Sequence, residues 1–241
     1  MRFCPSTANL NGEHLWSAWM EDLLPPGPKH FTRTMPDGRQ HQFSQDRLNW
    51  KAKVVCGTCN STWMSDIEAQ HAKPSMSDLI SGKLDIPILP PRAAAMALFA
   101  FKSAVVVDHM ARNRTPFFSR SVRHAFASTL SIPANVSMWL AGFLPMGTGS
   151  INAFYHSGKV EGHSLELYTC TYAIGRLVLQ IVAANHARKV SFRPKAGYEF
   201  LSVPFWPGLV EGFVWPAPDV LRTSNGLLGF AERWGDIRVF S

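Results

Sequence analysis

The sequence predicts an α+β protein, and three observations lead there. The run Ser61–Ala72 contains neither Gly nor Pro and places Trp63, Met64 and Ile67 on one helical face. Arg92–Met110 is Ala-rich and apolar almost all round, the pattern of a buried helix. Val136–Leu144, Ile151–His156, Leu165–Ala173 and Arg176–Ala183 read as strands separated by Gly- and Asn-type breaks. With 46% hydrophobic residues, eight Trp and 16 Phe in 241 residues, the chain has ample apolar surface for a core, which excludes a disordered polypeptide.

Taken in order, Leu15–Asp22 reads as a short helix. It is stopped by Leu23-Leu24-Pro25-Pro26-Gly27-Pro28, whose three prolines remove amide donors and fix φ. Phe31–Thr34 and Gln40–Phe43 flank Met35-Pro36-Asp37-Gly38, a turn signal that predicts a hairpin. The helix over Ser61–Ala72 takes Asn60 as its N-cap and ends at Lys73-Pro74. Ile86-Pro87-Ile88-Leu89-Pro90-Pro91 reads as a linker, and composition changes after it. The expected organisation is therefore a module over residues 1–75, a linker over 76–91 and an α+β domain over 92–241, with a second helix in that domain near Ser119–Leu130.

Composition narrows the function classes. The longest apolar stretch, Ala93–Val107, is interrupted by Lys102 and falls short of the ~20 residues a bilayer requires, so no membrane partner is expected. Four cysteines (Cys4, Cys56, Cys59 and Cys170) are too few for a disulfide scaffold of this size, and a reducing, cytoplasmic setting fits them. Residues 1–90 carry 9 Lys/Arg and 9 Asp/Glu, whereas residues 91–241 carry 15 against 8 and hold the whole net charge of +7. A basic excess of that kind suits a polyanionic partner, nucleic acid first. Within the basic region, His109, Arg112, Arg114, Arg120, Arg123 and His124 surround Phe117 and Phe118. The four arginines are the candidate phosphate contacts, with aromatics beside them to stack; a solvated helix face with two core phenylalanines is the plainer reading.

Cys56-Gly57-Thr58-Cys59 is a CxxC turn. Two thiolates on such a turn aim at one point and make half of a tetrahedral zinc site, for which Cys4 is the third ligand candidate. The same four residues match a thiol redox motif, which requires a helix opened after a strand in a βαβ unit. Both readings stay open, as does a pair of ordinary cysteines.

Phe3-Cys4, Glu13-His14-Leu15-Trp16, Val55-Cys56-Gly57-Thr58-Cys59-Asn60, then Trp63-Met64 and Glu68 come in an order that resembles the HNH endonucleases, over about residues 1–72. That resemblance implies a treble-clef, ββα-metal fold for the N-terminal module and phosphodiester hydrolysis for the activity. It implies His14 as the general base, Glu13 and Asn60 as ligands of a catalytic Mg or Mn ion, Asn49 as the residue orienting the histidine, and a structural zinc on Cys4, Cys56 and Cys59. The family's first cysteine falls at position 1, where this chain has Met, so the implied zinc site has three thiolates or continues upstream. Read as residues alone, Glu13-His14 is a polar pair, Asn60 a cap, Glu68 a solvated side chain, His71 a partner of the helix dipole, and Trp63 and Met64 core. The expected function is a metal-dependent HNH-type endonuclease acting on nucleic acid, DNA first. The alternatives are a catalytically degenerate nucleic-acid-binding zinc protein and a CxxC redox protein.

Overall fold

The computed structural model describes residues 10–34, 40–110, 115–194, 196–208, 211–216, 219–232 and 236–240. Cys4, Arg112 and Arg114 lie outside them. Helices take up 34% and strands 38% of the chain, so the α+β class holds.

The first strand, β1 (Leu10–His14), pairs antiparallel with β4 (Lys51–Cys56), with Leu10 opposite Cys56, Glu13 opposite Ala52 and His14 opposite Lys51. Between them, Ala18–Leu23 forms a 3-10 helix, and β2 (Lys29–Thr34) pairs with β3 (Gln40–Gln45) as the expected hairpin. β4 runs directly into a helical stretch, residues 57–80, kinked at Thr62, whose dihedrals (φ −112°, ψ −109°) are not helical. It opens as α1 (Gly57–Cys59), widens into π turns over Asn60–Met64 and Ile67–Ala72, and ends as α2 (Lys73–Ile80).

Two local expectations are corrected here. The cap is Cys56, whose Sγ accepts from the Cys59 N–H at 3.4 Å, while Asn60 already has helical dihedrals. Lys73-Pro74 does not end the helix. Pro74 sits in the first turn of α2, just beyond a π turn, where its missing amide and its ring are tolerated.

Residues 76–91 contain the end of α2, the strand β5 (Ile86–Ile88) and the start of α3 (Pro90–Asp108); β5 pairs with β10 (Phe213–Trp215). α3 is long and apolar enough to cross a membrane by length and composition, and most of it is buried in this core. α4 (Arg120–Thr129) is capped by the Ser119 hydroxyl and ends with Leu130 in the left-handed region. The four expected strands are two: β6 (Val136–Val160) and β7 (His163–Asn185), one long antiparallel hairpin turning at Glu161-Gly162, both at positive φ. The expected breaks after Leu144 and after Ala173 fall inside these strands, where the pairing shifts register between Gly142 and Ser150, whereas the expected break between His156 and Leu165 is the hairpin turn itself. Gly175 must be glycine, because its φ is +54° and a Cβ there would stand 2.3 Å from the Ile80 carbonyl oxygen.

The bent hairpin doubles back until tip meets base. Leu165 and Leu167 pack with Trp139 and Val182, and Asn185 donates to Glu166. β9 (Ser202–Trp206) and β11 (Val220–Leu221) add to β6, α5 (Ser224–Glu232) covers the bend, and β12 (Ile237–Val239) pairs with β8 (Val190–Phe192). A single cluster of buried side chains runs from Leu15 through Met64, Phe101 and Tyr172 to Trp215, so both expected regions share one core.

Candidate active site

β1 presents Glu13 and His14 on opposite faces, as consecutive strand residues must. Glu13 points into the core and is 3% exposed; His14, at the strand end, is half-buried. Glu13 meets a lysine. Lys102, in the middle of α3 and 1% exposed, places Nζ 2.6 Å from Glu13 Oε1 and 2.5 Å from Glu68 Oε1. The ammonium lies 5.2 Å from the Phe99 ring centroid, and Tyr172 packs edge-on against Phe99. Three charges therefore converge from β1, the second π turn and α3 in apolar surroundings.

The electrostatics follow from that burial. Loss of water raises the Glu13 carboxyl above its ordinary range, with Lys102 pulling the other way. Burial by itself lowers the Lys102 ammonium, but Glu13 and Glu68 outweigh it and hold the group above its usual value. For His14, burial and then the positive charge of Lys51 favour the neutral imidazole; Glu68 and a hydrogen bond with Asn49 oppose them, and the net shift is downward.

The other expected site residues are placed as follows. Asn60, near the start of the helical stretch, turns back to β1, its amide donating to the Gly12 carbonyl at 3.5 Å. Cys56 and Cys59 are both buried on the turn between β4 and the helix. Asn11 lies against this turn so closely that a Cβ on Gly57 would stand 3.1 Å from its amide nitrogen. The CxxC thus opens a helix after a strand, but the neighbouring strand β1 is antiparallel, which is not the βαβ setting of a redox motif. Arg120 is exposed on α4. Arg123 is 4% exposed and turned inward, its guanidinium donating to the Phe118 carbonyl at 2.5 Å, so it has no surface to offer a phosphate. His71 is mid-helix, since the helix continues to Ile80, and Trp63 packs edge-on against Phe126.

Sequence reasoning missed Lys102 and took Glu68 for solvated. The signal for Lys102 was available: it is the lone charge within Ala93–Val107, and a lysine inside a buried helix requires a carboxylate partner.

Among the described residues, no three His, Cys, Asp or Glu side chains come together as a metal site. By donor chemistry, Cys56 and Cys59 fit half of a zinc site, and Glu13 and Asn60 supply the oxygens a hard divalent ion takes, with Lys102 already on one Glu13 oxygen. No family model, curated protein or solved structure matches this chain.

Proposed function

We propose that the protein is a metal-dependent HNH-type endonuclease with His14 as its general base, acting on nucleic acid, DNA first, in a reducing, cytoplasmic setting. The observation that carries this reading is the state of His14. Burial and Lys51 lower its pKa and so favour the neutral imidazole that a general base requires, and Asn49 stands beside the ring as a polar partner. The antiparallel pair β1–β4 leading into the helix of Asn60 supports the same reading.

In this mechanism His14 accepts a proton from the water that attacks the phosphodiester. Asn49 keeps the ring in place through the transfer, and the nearby Glu68 carboxylate favours the imidazolium that forms. A Mg or Mn ion held by Glu13 and Asn60 would supply stabilisation of the charge developing on the phosphate. Zinc on Cys4, Cys56 and Cys59 would brace the turn from which Asn60 departs. Arg120, with Arg112 and Arg114, contributes positive charge toward the backbone of the nucleic acid.

Nicking of supercoiled plasmid in Mg²⁺ or Mn²⁺ tests this, with wild type and His14→Ala compared at matched folding by circular dichroism. Cleavage that is lost in His14→Ala and in EDTA supports the reading; wild type that never nicks overturns it. One observation favours a second reading, a nucleic-acid-binding protein without activity: the Glu13 carboxylate is already engaged by Lys102. DNA retention without nicking is its expected result.

A further inference from the structure

The arginines of α4 leave little surface for a polyanion, since Arg123 is turned inward and Arg120 alone is exposed. The N-terminal part of the chain balances in sequence, with 9 basic and 9 acidic residues over 1–90, but the fold does not spread those charges evenly. Pairing of β1 with β4 sets Gly12 opposite Lys53 and His14 opposite Lys51, while the pair between them, Glu13 and Ala52, is buried. Opposed residues of an antiparallel pair share a face, so Lys51, Lys53 and His14 stand together on the outer face of the ribbon, with both lysines exposed. Neither lysine is ion-paired among the described residues. The one acid of the two strands, Glu13, faces the core, where Lys102 holds it together with Glu68. The positive charge of the outer face is therefore not cancelled from within.

Gly12 shapes that face. A Cβ there would stand 3.1 Å from Lys51 Cβ and 3.2 Å from Lys51 Cδ, so the bare backbone is the bed on which the lysine stem lies. A stem already laid down loses less freedom when a ligand arrives. Exposed Asn11 and Asn49 and half-buried Asn60 border the ribbon with amides of the kind that phosphate oxygens take. The charge is also felt inside the chain: after burial, Lys51 is the leading cause of the downward shift at His14. Lys51 and Lys53 are two residues apart on one strand, which puts their Cα atoms about 6.6 Å apart, close to the step between successive phosphates of a nucleic-acid strand.

We propose that the outer face of β1–β4 is the surface that binds nucleic acid, with Lys51 and Lys53 on neighbouring phosphates of one strand. The proposal rests on the nucleic-acid reading above and adds the surface to it: a strand held there runs past His14, the residue opposite Lys51. A fluorescein-labelled DNA duplex is titrated with the full chain over a range of NaCl concentrations, without added Mg²⁺ or Mn²⁺, and anisotropy is followed. Wild type is compared with Lys51→Gln/Lys53→Gln, Lys51→Arg/Lys53→Arg and Lys159→Gln, the last an exposed lysine of β6, at matched folding by circular dichroism.

The Gln pair binds about tenfold more weakly at low salt, and its slope of log K against log salt is smaller by about 1.8, the share of two phosphate contacts. The Arg pair, which keeps the charge, stays within about twofold of wild type. Lys159→Gln also stays within about twofold, which separates this face from the net charge of the chain. If the Gln pair does not fold, Lys53→Gln alone decides, with a slope smaller by about 0.9. An unchanged slope in the Gln variants, equal weakening in Lys159→Gln, or wild type that binds no duplex overturns the proposal. Polyglutamate bound by wild type as tightly as the duplex overturns it too, and gives the face to acidic protein. Plasmid nicking in Mg²⁺ is measured on the same samples. Wild type that binds through these lysines and never nicks keeps the face and discards the nuclease; nicking with binding unchanged in the Gln pair keeps the nuclease and discards the face.

Discussion

Strands β1 and β7 bury opposite kinds of side chain. β7 buries an almost unbroken row from Tyr168 to Ala183, chiefly apolar, with Thr169, Thr171 and Gln180 as its polar members. β1 buries a glutamate. The stability that β7 provides is spread over many side chains, each contributing about 1.5–3 kcal/mol when fully removed from water. The contribution of β1 is concentrated in one cluster whose members are costly to bury and tolerable only together. One region is therefore tolerant and the other brittle, and the brittle one holds the candidate chemistry.

The largest expected effect comes from splitting the cluster. Lys102→Met leaves the buried Glu13 and the partly buried Glu68 without a counter-charge and costs about 3–5 kcal/mol in urea unfolding. Adding Glu68→Gln recovers part of that loss. A loss below about 1 kcal/mol would erase the contrast between the two regions. The two arginines of α4 sharpen it on a smaller scale. Arg123→Ala removes a buried guanidinium bonded to the Phe118 carbonyl and costs about 1–3 kcal/mol, whereas exposed Arg120→Ala stays within about 0.5 kcal/mol. On the proposed function, Arg120→Ala instead reduces the salt dependence of DNA binding by about one unit of slope.

The smallest effect is shared by β1 and by β6, the hairpin partner of β7. His14 on β1 and His156 on β6 both have pKa values lowered from 6.5, burial being the leading cause in each. The unfolded chain therefore takes up these protons first. Their contribution to stability is complete above 6.5 and is lost as pH falls through the lower folded values. Urea midpoints at about pH 7.5 and about pH 5.5 check this, and His156→Gln narrows the difference between them.

What the sequence disclosed was local. Pro36-Asp37-Gly38 between extended runs announces the β2–β3 hairpin, and the Ala-rich stretch announces α3, because turn chemistry and apolar pattern act over a few residues. Lys73-Pro74 misleads because a π turn just before it changes which amides need partners. The Gly breaks in the long hairpin mislead because a bend and an end look alike without the partner strand. At the site, the pairing of His14 with Asn49 follows from the resemblance, but the pairing of Lys102 with Glu13 has no local trace. Periodicity tells which face of α3 is buried and is silent about what stands opposite.

Ile88 beside Phe213 is a clasp: everything from α3 through the doubled hairpin lies in the loop it closes. Contacts so distant along the chain form late, since the entropy of closing the loop must be met before the contact rewards it. The β6–β7 hairpin, adjacent in sequence, assembles without waiting for the clasp. Glu13 and Lys102, 89 residues apart, meet only where α3 packs against the second π turn and β4, so in an unfolded chain both carboxylates are hydrated and apart from their lysine. The ion cluster is therefore a mark of the finished fold, absent from a half-folded copy.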